Sequence, residues 1–375
     1  MISQVFNLSN KKTFIHFKEK YKFSLILHHG LFGVEVRHIP SELSAIKNQI
    51  SQPNIFFAGN DVLVCGSFKE ILEYLTTSQL SQSIKSEIIK AVQNFEKNEI
   101  INYKIGKKSF DFNYAYVMGI LNVTPDSFSD GGKYTDKSSA ISYALEMIEE
   151  GVDIIDVGGE STRPGSDPVS EKEEIKRVIP VITEILKKKS DAVISIDTTK
   201  TKVAEEALKN GALIVNDISG GTFEPEIFNI VRTFNAAMII MHIKGKPKTM
   251  QDSPVYTDVI SEVYDYLTVQ SVLASNYGIE KIIVDPGIGF GKRVEDNISV
   301  IERLEDFKSL SFPLMVGVSR KSFIGNILNL PIGDRDDATN TINSFSLIKG
   351  VRIIRTHNIT KAVQTCKLFN TLIRN

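Results

Sequence analysis

The stretch GILNVTPDSFSDGG, residues 119–132, starts as an apolar run typical of a buried strand and turns polar at Asn122. A Gly-rich loop follows, interrupted by Pro125 and ending at Gly131-Gly132. The same junction recurs along the chain, because short runs rich in Val and Ile repeatedly end in polar residues. Eight such runs are present: AYVMGILN, DIIDVGG, AVISIDTT, ALIVNDIS, AAMIIMHI, KIIVDPGI, PLMVGVS and VRIIRTH.

The segments between these runs are amphipathic and predict helices. SEKEEIKRVIPVITEILKKK is one example, and several segments end at a glycine, as helices often do, namely Gly151, Gly211 and Gly278. Continuous apolar strands that alternate with helices predict a parallel sheet. Eight units over about 260 residues predict an α/β fold, a closed (β/α)8 TIM barrel. The alternative is a doubly wound open sheet, whose dinucleotide-binding form has GxGxxG where this chain has GILNVTP.

Residues 1–100 have a different pattern from residues 101–375. The runs FSLILHHG, VEVRHIP, NIFFAG and DVLVCGS predict short strands, and FKEILEYL and SIKSEIIKAVQNFEKN predict helices. We therefore expect a small α/β N-terminal domain, whose role the sequence does not indicate. Its histidines lack metal-site spacing: His16, His28, His29 and His38. The segment INYKIGKKSFDFN predicts a β-hairpin that caps the bottom, or N-terminal end, of the barrel.

The composition excludes several classes of protein. Hydrophobic residues make up 42% and charged residues 24%, which is typical of a globular protein. The formal net charge of -1 gives no reason to expect nucleic-acid or membrane partners. Cys65 and Cys366 suit neither a disulfide framework nor a metal site, which favours a reducing compartment. The sequence has no signal-peptide pattern and no apolar run of the roughly 20 residues that a membrane helix needs. We therefore expect a cytoplasmic protein.

Polar residues stand at the C-terminal end of each apolar run, where a TIM barrel carries its active site. A single Asp before a turn is usually a turn former or a helix cap. Eight polar strand ends together predict a binding rim. The rim residues are Asn122, Glu160, Ser161, Thr162, Arg163, Asp197, Asn216, Asp217, Met241, His242, Asp285, Ser319, Arg320, Lys321, Ser322, Arg355 and His357.

The short polar side chains of the rim suit a flat heterocycle. Asp197, Asn216 and Asp285 match a ring edge that alternates donors and acceptors, as a pterin's does. A carboxylate can pair with a ring N–H and an exocyclic amino group in two-pronged fashion. Asn122 is a candidate ligand for a hard cation such as Mg²⁺. His242, beside Met241, is more simply interpreted as a packing residue or a supporting residue behind the site.

The rim also concentrates positive charge, which implies an anionic substrate group such as diphosphate. The basic side chains are Arg163, Lys321, Arg355 and His357. Ser322 is expected where the next helix begins, either as an anion contact or as an ordinary N-cap. The rim suggests no Ser-His-Asp set and no Cys-His pair, so we expect no covalent enzyme intermediate.

The motifs resemble the successive blocks of the dihydropteroate synthase family. They are MGILNVTPDSFSDGG, DIIDVGGESTRPGS, ISIDTTK, VNDISGG, MHIKGKPKTMQ, VDPGIGFGK, PLMVGVSRKSFIG and IIRTHN, in order over residues 105–375. ESTRPG together with SRKS distinguishes this family from other pterin-binding barrels. Some members carry an N-terminal extension similar in outline to residues 1–100. One departure is Ile243, where the family more often has Met, and this should alter packing around strand five.

The resemblance implies a transferase of folate biosynthesis. It would condense 6-hydroxymethyl-7,8-dihydropterin diphosphate with p-aminobenzoate to give 7,8-dihydropteroate and diphosphate, by SN1-like cleavage of the C–O bond. The resemblance implies that Asp197, Asn216, Asp285 and Lys321 hold the pterin. Met241, at the end of its apolar run, is a further candidate substrate-binding residue. The resemblance also implies a homodimer.

The remaining roles implied by the resemblance concern the diphosphate and the second substrate. Asn122 with Mg²⁺, Arg355 and His357 would hold the diphosphate. The p-aminobenzoate pocket, where sulfonamides compete, would be formed by Phe128 of the first loop, by Thr162, Arg163 and Pro164 of the second loop, and by Phe290 and Ser322.

Two competing functions remain open at this point. A pterin-binding methyltetrahydrofolate methyltransferase shares the barrel and the Asp/Asn set but does not need the four basic side chains of the rim. A non-catalytic scaffold protein could retain the barrel and use residues 1–100 as an interaction module.

Overall fold

The structure is a computed structural model, and it describes residues 1–23, 25–27, 29–40, 54–96, 101–124, 136–162 and 165–373. The chain divides into two units. The first consists of residues 1–99 together with residues 303–311, and the second of residues 100–302 and 312–375.

The first unit is a four-stranded antiparallel sheet with helices. Its strands, in the spatial order β1-β2-β4-β3, are β1 (Ile2–Asn7), β2 (Phe32–Arg37), β3 (Ile55–Ala58) and β4 (Asp61–Gly66). Its described helices are α1 (Lys11–Tyr21), α2 (Phe68–Thr77) and α3 (Gln82–Glu96). One core cluster joins Val34 and Val64 of the sheet to Ile71 and Ile88 of the helices.

The sequence prediction for this unit was wrong at its start. Within 23–30, none of the described residues forms a strand, and β1 and α1 were not predicted. Ile26 is 81% exposed, so the apolar run FSLILHHG contributes little to a core. Asn10 accepts hydrogen bonds from the N–H groups of Lys12 and Thr13, and this cap starts α1.

A short segment from the barrel region belongs to the first unit. The 3₁₀ segment Leu304–Leu310 contains Ser309 and Asp306, whose side chains accept hydrogen bonds from the N–H groups of Val5 and Asn7 at 3.3 Å each. Burial raises the pKa of Asp306 to about 6, and Arg303, whose Nε donates to it at 2.8 Å, opposes the shift.

The second unit contains a closed barrel of eight parallel strands. They are β7 (Tyr116–Asn122), β8 (Ile154–Gly158), β9 (Ile194–Asp197), β10 (Ile214–Asp217), β11 (Ala237–Met241), β12 (Ile282–Asp285), β13 (Leu314–Val316) and β14 (Val351–Thr356). Each of the eight predicted runs contains one of these strands. The predicted (β/α)8 TIM barrel is confirmed, and the open-sheet alternative is wrong.

Helices follow the strands around the barrel. They are α4 (Asp136–Glu150), α5 (Glu171–Lys188), α6 (Thr201–Lys209), α7 (Ile227–Thr233), α8 (Val259–Asn276), α9 (Val294–Glu302), α10 (Ser322–Leu328), α11 (Asp336–Ile348) and α12 (Ile359–Leu372), with a 3₁₀ turn at Ile332–Asp334. Gly151, Gly211 and Gly278 follow helix ends at positive φ, as the sequence predicts.

Strand alternation separates the barrel core from its rim. Since successive side chains of a strand point to opposite faces, every second residue faces the interior. The interior cluster includes Ile154, Ile214, Ile283 and Ile353 near the strand starts. Two residues further along the same strands stand Asp156, Asn216, Asp285 and Arg355. The interior is therefore apolar at the bottom and polar at the C-terminal end.

A hairpin closes the bottom of the barrel, as predicted. Its strands are β5 (Asn102–Ile105) and β6 (Lys108–Asp111). Ile105, Phe110 and Phe112 pack in one cluster with the first interior residues of the barrel strands. The Tyr103 hydroxyl donates to the carbonyl of Ile282 at 2.9 Å. Within the described residues, no helix is long and apolar enough to cross a membrane.

The hairpin makes a testable contribution to stability. Phe110 is fully buried between the hairpin and the barrel core. We expect Phe110→Ala to lower the free energy of unfolding by about 3–5 kcal/mol, because a large cavity replaces the ring. Urea denaturation measures this effect. Lys107→Ala, at the exposed hairpin turn, is the control; equal losses for the two variants would contradict the packing argument.

Candidate active site

Three rim residues and Gly158 lie side by side because of the barrel register. Asn122 pairs with Gly158, Gly158 with Asp197, and Asp197 with Asn216 on adjacent strands. Gly158 leaves space between its neighbours. A Cβ there would lie 3.7 Å from Asp197 Oδ2 and 3.8 Å from Asn122 Oδ1. The amide of Asn122 and the carboxylate of Asp197 therefore flank the same gap.

Arg355 joins two carboxylates inside the mouth of the barrel, the opening that the rim residues surround at the C-terminal ends of the strands. Its Nε donates to Asp156 Oδ2 at 2.7 Å, and its Nη2 donates to Asp197 Oδ2 at 2.6 Å. Asn216 Nδ2 also donates to Asp156 Oδ2, at 2.9 Å. Asp156, Asp197 and Asn216 are all buried. One guanidinium thus orients carboxylates from β8 and β9 and is itself held in place by them.

Two oxygen atoms of this cluster have no hydrogen-bond partner among the described residues. Neither Asp156 Oδ1 nor Asp197 Oδ1 has a hydrogen-bond partner within the part of the chain that the structure describes. Burial raises the pKa of Asp197, Arg355 opposes the shift, and the charge of Asp156 adds to it. Buried acceptors without partners are costly, so this arrangement is suited to a ligand that donates hydrogen bonds.

Asp285, at the end of β12, and Lys321, after β13, interact through their opposite charges on the other side of the mouth. Asp285 accepts from the N–H of Gly287 at 2.7 Å, and burial raises its pKa, with the Lys321 charge opposing. Burial lowers the pKa of Lys321, and the negative charge of Asp285 opposes this shift. The Lys321 ammonium lies 3.9 Å from the centre of the Phe290 ring, in cation–π contact.

The loop after β12, residues 286–292, is tightly folded. Gly287 has a φ of +68°, and a Cβ there would lie 1.8 Å from the carbonyl oxygen of His242. Lys292, only 2% exposed, places its Nζ 2.8 Å from His242 Nδ1. Burial lowers the pKa of Lys292 to about 7, although Asp285 opposes this. Burial also lowers the pKa of His242, and the nearby Lys292 charge adds to this shift. His242 is thus behind the rim, in contact with Lys292.

An apolar cluster forms one wall of the mouth. Its members are Ile218, Met241, Ile243, Met250 and Phe290. Ile243, the residue that departs from the family pattern, is 6% exposed inside this wall. A flat ring that enters the mouth would meet apolar side chains here.

His357 is oriented by Ser319. Its Nδ1 lies 2.9 Å from Ser319 Oγ, and its backbone N–H donates to the same oxygen at 3.2 Å. Arg320 has a φ of +56° and binds Asp336 through Nε and Nη2 at 2.7 and 2.8 Å. Arg320 is thus engaged by Asp336, which distinguishes it from the neighbouring Lys321.

Ser322 is exposed and is the first residue of α10, whose N-cap is Lys321 without a side-chain cap bond. The interpretation of Ser322 as an ordinary N-cap is therefore wrong, whereas its position at the helix start is as expected. A cavity of about 630 Å³ adjoins it. The residues around this cavity include Gln251, Val255, Lys292, Ser322 and Phe323.

The base of the second loop is held by buried charges. Lys200 binds both Glu160 and Glu174, and the Glu174 side chain is only 1% exposed. Burial raises the pKa of Glu174, and Lys200 opposes this shift. Further along the loop, Asp167 binds Lys248 at 2.7 Å. Thr162 is half-buried in this loop.

Three residues assigned to the first and second loops lie outside the described part of the chain: Phe128, Arg163 and Pro164. Asp217 faces away from the rim, because its carboxylate accepts from Ser219 and Gly221 and forms a local turn. For Asp217 the interpretation as a turn former is therefore the correct one.

Sequence reasoning missed Asp156 and Lys292. The predicted rim residues stand near or after the C-terminal end of each run, whereas Asp156 stands in the middle of the run DIIDVGG. An acid two residues after the interior-facing Ile154 was the available signal. Lys292 ends the Gly-rich segment PGIGFGK, and a lysine after three closely spaced glycines was the signal there.

Known proteins resemble this chain over its barrel. A family model described as pterin binding enzyme matches residues 118–357. A dihydropteroate synthase from a Synechocystis strain is 47% identical over 274 residues, which cover 72% of this chain and 94% of that protein.

Solved structures are similar as well. The Yersinia pestis dihydropteroate synthase in complex with a sulfonamide drug has a TM-score of 0.69 and 35% identity, covering 73% of this chain and 100% of that one. The Xanthomonas albilineans dihydropteroate synthase with 4-aminobenzoic acid also has a TM-score of 0.69, at 32% identity, covering 73% of this chain and 98% of that one.

The charges at the base of the second loop generate a pH-dependent prediction. Lys200→Met leaves Glu174 buried without its cation, so the free energy of unfolding should fall by about 3–5 kcal/mol at pH 8. The folded variant then keeps a proton on Glu174 above its usual pKa of 4.5, where the unfolded chain has lost it. Stability therefore decreases as the pH rises, and the loss should be smaller at pH 5.

Urea denaturation at pH 5 and pH 8 measures both values. Lys209→Met on the same helix, α6, is the control, because its ion pairs with Glu205 and Glu206 are exposed. It should cost less than about 1 kcal/mol at either pH. A pH-independent loss for Lys200→Met would contradict the argument.

Proposed function

Since this chain belongs to the dihydropteroate synthase family of pterin-binding enzymes, we propose how its rim residues divide the reaction between them. The chain is a transferase of folate biosynthesis. It condenses 6-hydroxymethyl-7,8-dihydropterin diphosphate with p-aminobenzoate to give 7,8-dihydropteroate and diphosphate. The main support for the proposal is the Arg355 cluster. In it, the buried carboxylates of Asp156 and Asp197 each have one oxygen without a hydrogen-bond partner among the described residues.

In our proposal the pterin ring binds between the Arg355 cluster on one side of the mouth and the side chains of Asp285 and Lys321 on the other. Asp197, Asn216 and Asp285 face donors and acceptors on the ring edge. Lys321, which follows β13, contacts the ring. The Oδ1 atoms of Asp156 and Asp197, which find no hydrogen-bond partner in the part of the chain that the structure describes, support this, because a pterin supplies N–H donors. Met241, in the apolar wall, would pack against the ring. Asp156 is added to the site on its contacts with Arg355 and Asn216.

The diphosphate would bind to Arg355, His357 and Asn122. Arg355 carries a charge at the mouth, and Ser319 Oγ, 2.9 Å from Nδ1, orients the ring of His357. Among the described residues, no group of three or more His, Cys, Asp or Glu side chains is arranged to hold a metal ion. This donor set nevertheless fits Mg²⁺, which accepts a single protein oxygen when phosphate oxygens and waters complete its shell. We propose Asn122 Oδ1 as that oxygen.

The p-aminobenzoate pocket is proposed to be the space next to Phe290, Lys321 and Ser322. Thr162, Phe128, Arg163 and Pro164 are assigned to the same pocket through the family motifs. The support is that Phe290 and Lys321 are in direct contact. The Xanthomonas relative was solved with 4-aminobenzoic acid and the Yersinia relative with a sulfonamide.

These positions lead to a loose transition state. The electron-rich dihydropterin supports a cationic methylene as its C–O bond breaks, and the buried carboxylate of Asp197 stabilises that positive charge. Bound Mg²⁺ supplies further neutralisation of the leaving diphosphate. Arg355 and His357 offset the charge that develops on the same group. Positioning of the aniline nitrogen, rather than a dedicated general base, completes the reaction. Arg163 and Lys321 are the remaining proposed catalytic residues.

The methyltransferase alternative has no specific support. Such an enzyme would not need the basic residues that line this mouth, and the relatives described above are dihydropteroate synthases. Release of diphosphate that depends on both substrates separates the two activities.

Substitution of Asp197 tests the proposed mechanism. Asp197→Asn keeps the size of the side chain and removes its charge, so kcat should fall by about 100-fold or more. The measurement is a coupled assay for diphosphate release. The circular dichroism spectrum should remain that of the wild type, and Asp191→Asn, at an exposed position between α5 and β9, is the control. Wild-type kcat for Asp197→Asn would contradict the proposal.

A homodimer is also proposed. Helices α11 and α12 pack against each other and expose apolar side chains, among them Ile348 at 77%, Leu368 at 63% and Leu372 at 65%. Exposed apolar side chains on neighbouring helices are typical of protein interfaces. The free, buried Cys65 and Cys366 agree with the proposed cytoplasmic location.

The dimer proposal predicts a change of mass. The double substitution Ile348→Glu and Leu372→Glu should convert a dimer to a monomer, because it places charges in an apolar contact. Sedimentation equilibrium measures the mass. Val272→Glu, on α8 at 54% exposure, should leave the dimer intact. A wild-type monomer, or dissociation caused by Val272→Glu alone, would contradict the proposed interface.

A further inference from the structure

Lys292 is a buried lysine that the proposed reaction does not use. Its side chain places Nζ within 2.9 Å of the carbonyl of Gly287, 3.3 Å of the carbonyl of Phe290 and 2.8 Å of His242 Nδ1. An ammonium group has three N–H donors, and three acceptors surround this one. If the amine loses its proton, it can accept from the Nδ1–H tautomer of His242, so the three contacts persist.

These contacts tie the end of β11 to the loop after β12. His242 follows β11, and its backbone N–H donates to the carbonyl of Asp285 at 3.0 Å. The N–H of Phe290 donates to the carbonyl of Gly287 at 3.1 Å, so this carbonyl accepts from both Phe290 and Lys292. Lys292 therefore holds the turn 287–290 from below.

The upper side of the same turn carries Lys321. A Cβ at Gly289 would lie 2.8 Å from Lys321 Cδ, which shows how closely the lysine stem lies on the turn. Its ammonium is over the Phe290 ring at 3.9 Å. The turn is thus enclosed between two lysines, of which Lys321 faces the site and Lys292 is buried below.

Other side chains hold the middle of the turn, at Gly289, whereas Lys292 binds the carbonyls at its two ends. The N–H of Gly289 donates to Asn297 Oδ1 at 2.6 Å, and Gln251 Nε2 donates to the carbonyl of Gly289 at 2.9 Å. The carbonyls of Gly287 and Phe290 receive their side-chain hydrogen bonds from Lys292. Loss of Lys292 leaves both carbonyls without that donor.

We propose that Lys292 is a positioning residue for the condensation, which fixes the turn 287–290 and thereby sets Phe290 and Lys321 at the site. The inference rests on the proposed roles of Phe290 and Lys321, and it adds a residue that acts through them. Lys292 itself touches neither substrate.

The test compares two substitutions in the full-length enzyme. Lys292→Ala removes the amine, and Lys292→Met keeps a similar volume without donors. Each should lower kcat/KM roughly 10- to 100-fold, the range expected for lost hydrogen bonds from a charged group. Arg293→Ala is the matched control, because it removes the adjacent cation, which is bound to Asp296 at 2.8 Å. Its kcat/KM should stay within about 3-fold of the wild type, since surface ion pairs contribute little.

Chemical rescue separates positioning from a general loss of structure. Lys292 borders the cavity of about 630 Å³, so a small amine can reach the space left in Lys292→Ala. Added propylamine should restore part of the lost kcat/KM in Lys292→Ala, whereas propanol should not. Lys292→Met, whose side chain fills the space, should not respond to the amine.

A double-mutant cycle with Lys321→Met provides the second readout. If Lys292 acts in part by positioning Lys321, Lys292→Met should lower kcat/KM by a smaller factor in the Lys321→Met background than in the wild type, and the remaining loss is the part that acts through Phe290. Multiplicative losses, or wild-type kcat/KM for Lys292→Met alone, would overturn the inference. A wild-type enzyme that releases no diphosphate from the two substrates would instead overturn the proposed function, so the two failures are distinguishable.

Discussion

One guanidinium holds the polar end of this barrel together. Arg355 donates to Asp156 and Asp197 at 2.7 and 2.6 Å, and Asn216 adds a further donor to Asp156. Two carboxylates so close and so deeply buried would repel each other without a cation between them. With Arg355 present they keep fixed directions, and each retains one oxygen without a partner among the described residues. The cluster is consequently pre-organised for a ligand that supplies hydrogen-bond donors.

The barrel core makes such a cluster possible. Apolar residues at the strand starts and the hairpin residues Phe110 and Phe112 exclude water from below. The same strand alternation that buries Ile154 and Ile353 delivers Asp156 and Arg355 to the mouth two residues later. In our proposal, catalysis follows from this geometry, because fixed charges in a poorly hydrated mouth stabilise a cationic pterin and an anionic leaving group better than water does.

The sequence predicted the barrel well, since each apolar run is long enough to define its own strand. It predicted most of the candidate site for the same reason, because a polar residue at a strand end is visible in the printed chain. It did not predict Asp156, whose place inside a run is meaningful only once the interior face is known. It also did not predict that residues 303–311 belong to the first unit, since such contacts join positions about 300 residues apart, as Val5 and Ser309 are. The incorrect prediction of a strand at residues 23–30 has a related cause. An apolar run forms a strand only where a partner strand is available.

The central claim is that the mouth has a pterin half, organised around Asp197, and a diphosphate half that includes His357. Titration calorimetry with 6-hydroxymethyl-7,8-dihydropterin and, separately, with diphosphate in Mg²⁺ tests this division in the Asp197→Asn and His357→Ala variants. The account predicts that Asp197→Asn loses mainly pterin affinity and that His357→Ala loses mainly diphosphate affinity. Equal losses of both ligands in both variants, or no loss in either, would contradict it.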